Sequence, residues 1–152
     1  MPDKANVVVL PPVIFVVALL LGLLIDFVVP IQVLPRTPAL WLGALFILIS
    51  IPIVVSAMRE LDKAKTAIDV RKPTSALVRT GAFQFSRNPI YVAMVMLYLG
   101  IASLINSLWI CLLVVPAVTI LQLGVIRREE GYLEQKFGED YRRYKAQVHR
   151  WL

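Results

Sequence analysis

The chain has 152 residues, 59% of them hydrophobic and 17% charged, against roughly 45–50% and 25% in a soluble domain; with a mean hydropathy of +0.75, an ordinary soluble globular protein is excluded. Lys and Arg number 16 and Asp and Glu 10, a formal net charge of +6, so the placement of the charges decides what the excess means. Between Lys4 and Arg59 only Asp26 and Arg36 are charged, and from Asn88 to Ile126 the chain runs 39 residues without a charge. A bilayer core takes about 20 apolar residues per helix. The long uncharged run therefore holds two spans, with Ser103, Asn106 and Ser107 marking a turn between them. The sequence predicts an all-α, integral membrane protein with four transmembrane helices near residues 7–29, 39–58, 89–105 and 108–126.

The first span is too long for a signal-peptide core and is followed by no A-x-A cleavage pattern, so it is expected to remain in the mature protein. Asp26 lies near the outer end of that span, just before Pro30. A carboxylate inside a membrane is a functional candidate by default, but from this place it is expected to reach water or a headgroup. Pro52 and Pro116 fall inside the second and fourth spans, where a missing backbone donor tends to kink a helix. Cys111 is the single cysteine, and its spanning position reads as a small buried hydrophobe.

Two charged segments, 59–88 and 127–152, complete the chain. Four spans place both of them and the N-terminus on one side. That side carries 15 of the 16 Lys and Arg, Arg36 being the exception, and the excess of positive charge makes it cytoplasmic. Both termini are then cytoplasmic, Trp41 and Trp109 stand at the outer interface, and Tyr91 and Trp151 at the inner one. Topology and attraction to anionic membrane lipids account for the basic residues, so no nucleic-acid partner is expected. No repeat divides the chain, and residues 1–152 read as a single domain.

Leu61, Ala64 and Ile68 recur at helical spacing among charges, which predicts a helix continuing from the second span until Pro73. Thr80-Gly81 signals a turn. Asn88 and Pro89 suit the cap and first position of the third helix, whose N-terminus would seat a carboxylate or phosphate. Beyond the fourth span, a helix is expected to about Phe137, ended by Gly138, then a short amphipathic helix through Tyr141, Tyr144 and Val148. Glu129 and Glu130 are adjacent, so one can point inward and the other at solvent; charge alone favours a solvated turn over a ligand site. Gly131 in the same helix implies fraying or a close backbone neighbour, since it costs about 1 kcal/mol relative to alanine.

The stretch Leu77-Val78-Arg79-Thr80-Gly81-Ala82-Phe83-Gln84-Phe85-Ser86-Arg87-Asn88-Pro89-Ile90-Tyr91 resembles the segment leading into the R-H-P-x-Y-x-G motif of the isoprenylcysteine carboxyl methyltransferase and phospholipid methyltransferase family. Glu129-Glu130-Gly131-Tyr132-Leu133 is similar to that family's E-E-x-x-L motif, and Phe137-Gly138 through Tyr141, Tyr144 and Arg150 to its F-G-x-x-Y-x-x-Y tail. The likeness covers the chain from Pro73 onward. Asn88 stands where the family's histidine is usual, and Ala93 replaces the motif glycine. Asparagine hydrogen-bonds but is no base near neutral pH.

The resemblance implies an integral membrane methyltransferase that uses S-adenosylmethionine at a cytoplasmic loop, without a Rossmann fold. Glu130, with Glu129 as second candidate, would offer a counter-charge to the cofactor's ammonium; Arg87 and the helix end at Asn88 and Pro89 would offer donors to its carboxylate. The loop from Leu77 to Phe85, with Val78, Gly81 and Phe83, would meet the adenine, with Tyr91 closing one wall, and Leu133 of the second motif is a further cofactor-binding candidate. No metal is expected, and no residue is assigned a catalytic role: methyl transfer to an anionic nucleophile needs positioning and exclusion of water rather than a base, and His149, the one histidine, lies outside both motifs. The acceptor would be a lipophilic small molecule or lipidated substrate, such as an isoprenylcysteine carboxylate or a phospholipid. Sterol reductases share a related C-terminal region that binds a nicotinamide dinucleotide, a reading that the E-E-x-x-L match opposes. A non-catalytic membrane adaptor is the remaining alternative.

Overall fold

The computed structural model of the chain describes residues 7, 9–67 and 72–152. Among these the elements are all helical: α1 Pro11–Val28, α2 Arg36–Lys63, a 3-10 turn Gly81–Gln84, α3 Pro89–Ile105, α4 Leu108–Leu121, a π turn Gln122–Ile126, α5 Arg127–Phe137 and α6 Glu139–Gln147. Helix α1, helix α2 and the continuous helix Leu108–Phe137 are long and apolar enough to cross a membrane, and α3 is a shorter apolar helix of 17 residues. At 1.5 Å per residue α3 is about 26 Å long. Large apolar side chains stand on the outside, Phe27 at 87% exposure and Trp41 at 75%, as a hydrocarbon surround permits.

Helix α2 packs along α3, α1 packs along α4, and α3 and α4 form a hairpin. Glycines allow the close backbone approach that membrane helices use in place of a hydrophobic driving force. A Cβ on Gly43 would stand 2.8 Å from the Gly100 carbonyl oxygen, and one on Gly22 3.0 Å from the Ile110 Cα. The hairpin turn forms as expected: Asn106 closes α3 in the left-handed conformation, φ 62°, and the Ser107 hydroxyl accepts from the Ile110 N–H at 3.4 Å to cap α4. The Asn106 side chain also accepts from the Val33 and Leu34 N–H groups at 3.2 and 3.1 Å and donates to the Leu34 carbonyl at 2.7 Å. One residue thus fixes both interhelical loops at that end.

Several boundaries differ from expectation. Helix α1 starts at Pro11 rather than near Val7, because Pro11 occupies the first position, where no N–H is needed. Helix α2 begins at Arg36 and stops at Lys63 instead of running to Pro73. Lys65 takes φ 50°, its N–H donates to the Asp62 carbonyl at 2.9 Å, and the Thr66 N–H donates to the Leu61 carbonyl at 3.0 Å. This is a Schellman closure with lysine where glycine is usual, so no glycine announces it; Ile68 lies outside the described residues. Both Pro52 and Pro116 are inside helices, and beyond Pro116 the helix widens into the π turn before continuing as α5. Gly138, at φ 53°, ends α5 as expected. Gly131 is neither frayed nor closely packed: the helix runs through it, and a Cβ there would meet nothing within 4 Å. One oxygen of Asp26 is buried without a hydrogen-bond partner among the described residues, so that oxygen does not have the access to water expected of it.

Candidate functional site

Where α2 ends and α3 and α5 begin, the chain surrounds a cavity of about 410 Å³, within the size range of small-molecule sites. Its loop wall is pinned to α2. Gly81, at φ 60°, places its Cα so close to Glu60 that a Cβ would meet the Glu60 Cγ at 2.7 Å. The Ala82 N–H donates to the Ser56 hydroxyl at 3.1 Å, and the Thr80 hydroxyl donates to Glu60. These anchors present Leu77, Val78 and Phe83 to the cavity. Gly81 itself is not on the lining: it allows the close turn against α2 behind it.

The polar end of the cavity is built by three segments distant in sequence. Asn88 and Pro89 open α3, but the Asn88 side chain does not cap it. Instead the Asn88 amide donates to the Arg150 carbonyl at 2.9 Å, the Ser86 hydroxyl donates to that same oxygen at 3.2 Å, and the Arg87 N–H donates to the His149 carbonyl at 3.0 Å. The Trp151 indole donates to Gln122 of the π turn at 3.1 Å. Residues 149–151 are therefore a strap across Ser86–Asn88.

Both glutamates of α5 face inward rather than one facing solvent, and they differ in company. Glu130 is buried; it accepts from the Arg150 Nε at 2.9 Å and Nη2 at 2.6 Å, and a nitrogen of Arg87 lies 3.3 Å from it. That hydrogen bond raises the Arg150 pKa above its usual value. Glu129 accepts from the Tyr91 hydroxyl at 2.8 Å and has no ion pair among the described residues. Arg87 is the converse case: its side chain is 7% exposed, Nη1 has only a 3.5 Å contact to the Tyr141 hydroxyl, and Nε is buried without a partner among the described residues. Burial pushes the Tyr141 pKa up to about 12 and raises that of Tyr144 as well, so both remain protonated; the Tyr144 hydroxyl donates to the Phe83 carbonyl at 2.6 Å.

Of the residues singled out from sequence, Leu77, Val78, Phe83, Arg87, Asn88, Pro89, Tyr91, Glu129, Glu130 and Leu133 share this cavity, and Gly81 does not. Sequence reasoning missed the start of α1, where Leu10, Pro11 and Pro12 line the cavity together with Met94 of α3. Nothing in that stretch marks it. It also missed Tyr141 and Tyr144 as lining residues, although their spacing in the tail motif was a usable signal. No group of three or more His, Cys, Asp or Glu able to hold a metal stands among the described residues.

Residues 38–140 match the model of a family described as phospholipid methyltransferase. A curated protein of Haemophilus influenzae (strain ATCC 51907 / DSM 11121 / KW20 / Rd), described as uncharacterized, is 51% identical over 39 residues, 26% of this chain and 62% of its own length. The chain thus spans less than two thirds of that relative. No solved structure matches the chain.

Proposed function

The chain belongs to the phospholipid methyltransferase family, and from that premise we propose that it binds S-adenosylmethionine in the cavity and transfers a methyl group to a lipophilic acceptor at the cytoplasmic membrane face. The observation that carries the cofactor is a divided set of charges on one wall. Among the described residues the buried Arg87 Nε has no hydrogen-bond partner, and Glu129 accepts from the Tyr91 hydroxyl but has no ion pair. A ligand with an adjacent carboxylate and ammonium supplies what each lacks. Arg87 and the N-terminal end of α3 take the carboxylate. Glu129, oriented by Tyr91, takes the ammonium, in preference to Glu130, which already holds two guanidinium groups. Leu77, Val78, Phe83 and Leu133 offer apolar contact to the adenine.

Bound there, the cofactor supplies an electrophilic methyl on a positively charged sulfur. The protein's part is to hold the reactants in line and keep water out. Among the described residues the lining contains no histidine, lysine or cysteine, which favours an acceptor that is already anionic, such as a carboxylate. The apolar lining contributed by Leu10, Pro11, Pro12 and Met94 suits the apolar part of a lipophilic acceptor. We assign four crossings, with both termini and Arg59–Arg87 on the cytoplasmic side, from the 15-to-1 partition of Lys and Arg. Calorimetry in detergent tests the cofactor: S-adenosylhomocysteine should bind and a nicotinamide dinucleotide should not. Binding of the dinucleotide alone would replace this reading with a reductase.

A further inference from the structure

Two guanidinium groups compete for one carboxylate at the polar end of the cavity. Arg150 occupies both oxygens of Glu130, at 2.9 and 2.6 Å, in the side-on, two-point geometry that a planar guanidinium favours. Among the described residues Arg87 is left a longer contact of 3.3 Å to one oxygen, the 3.5 Å contact to Tyr141 and an Nε without a partner. A buried guanidinium is expensive to leave so poorly paired. The arrangement persists because Arg150 is fixed in place: its carbonyl is held by Ser86 and Asn88, the residues on either side of Arg87.

We infer that Arg150 is a positioning residue, which by engaging both oxygens of Glu130 keeps the Arg87 guanidinium available to an anionic group of the ligand. Without the Arg150 side chain, Glu130 can turn both oxygens on Arg87 and neutralise it. The loss should then fall on the ligand's carboxylate and spare the rest of the molecule. Removing Glu130 as well as Arg150 should release Arg87 again. The ligand in this inference rests on the cofactor reading above.

The test is calorimetry in detergent with two ligands, S-adenosylhomocysteine and its decarboxylated analogue. Arg150→Gln should weaken the carboxylate-bearing ligand about 10- to 100-fold, as expected for a charge-assisted contact, and the decarboxylated one by no more than about twofold. Glu130→Gln/Arg150→Gln should recover most of the lost affinity. Retained binding of the decarboxylated ligand reports a folded variant. An equal loss for both ligands, or no recovery in the double variant, overturns the inference and leaves Arg150 as a structural clamp. If the unaltered protein binds neither ligand, it is the cofactor reading that fails.

Discussion

Glu129 and Glu130 are neighbours in sequence with opposite surroundings, and substitution should separate them. Glu129 meets one neutral hydroxyl, so Glu129→Gln should fold normally and weaken S-adenosylhomocysteine binding by about 1.5–3 kcal/mol, the worth of a charge-assisted hydrogen bond. Glu130 stands between two guanidiniums. Glu130→Gln leaves them facing one another and should lower stability by about 3 kcal/mol, toward the lower end for a buried pair because Arg150 is partly exposed; thermal unfolding in detergent reads this. Glu134→Gln, on a partly exposed carboxylate paired with Arg142 and Lys145, should change neither quantity. Equal loss of binding in Glu129→Gln and Glu134→Gln would indicate a general charge effect and remove Glu129 from the site. The glutamate pair and Arg87 were legible in the sequence as charges beside a matching motif. Which glutamate stays unpaired was not, because the answer lies in Arg150, brought back by a strap that no local pattern announces.

At the scale of elements, two glycines should respond in opposite ways. Gly81→Ala places a methyl at φ 60° and 2.7 Å from the Glu60 Cγ, so it should destabilise the protein by more than about 1 kcal/mol. Gly131→Ala lies in a regular helix with open space around it, and should stabilise it by about 0.4–1 kcal/mol. Matching unfolding midpoints for these two variants would contradict the packing of the 80–84 loop on α2. The apolar helices were readable because their lengths follow from hydropathy and their ends from Pro89, Asn106 and Gly138. The end of α2 was misread because the helical spacing of Leu61 and Ala64 continues past Lys65, while the backbone reverses there with a lysine in the left-handed conformation. The π turn likewise has no pattern of its own, and its five residues read as ordinary apolar helix.

For the whole molecule, we propose from the partition of basic residues that the loop after α2 faces the cytoplasm. A cysteine introduced by Lys65→Cys should resist impermeant thiol reagents added outside intact cells and react after permeabilisation; strong labelling in intact cells would refute the four-crossing topology. In the proposed orientation the polar end of the cavity would lie on the side where a soluble cofactor is found. Transfer of label measures the consequence of this geometry directly. The purified protein, incubated with methyl-labelled S-adenosylmethionine and a lipid extract, should place label in the organic phase, and Glu129→Gln should abolish most of it at limiting cofactor. Cofactor binding with no label entering any lipid would contradict methyl transfer to a lipophilic acceptor.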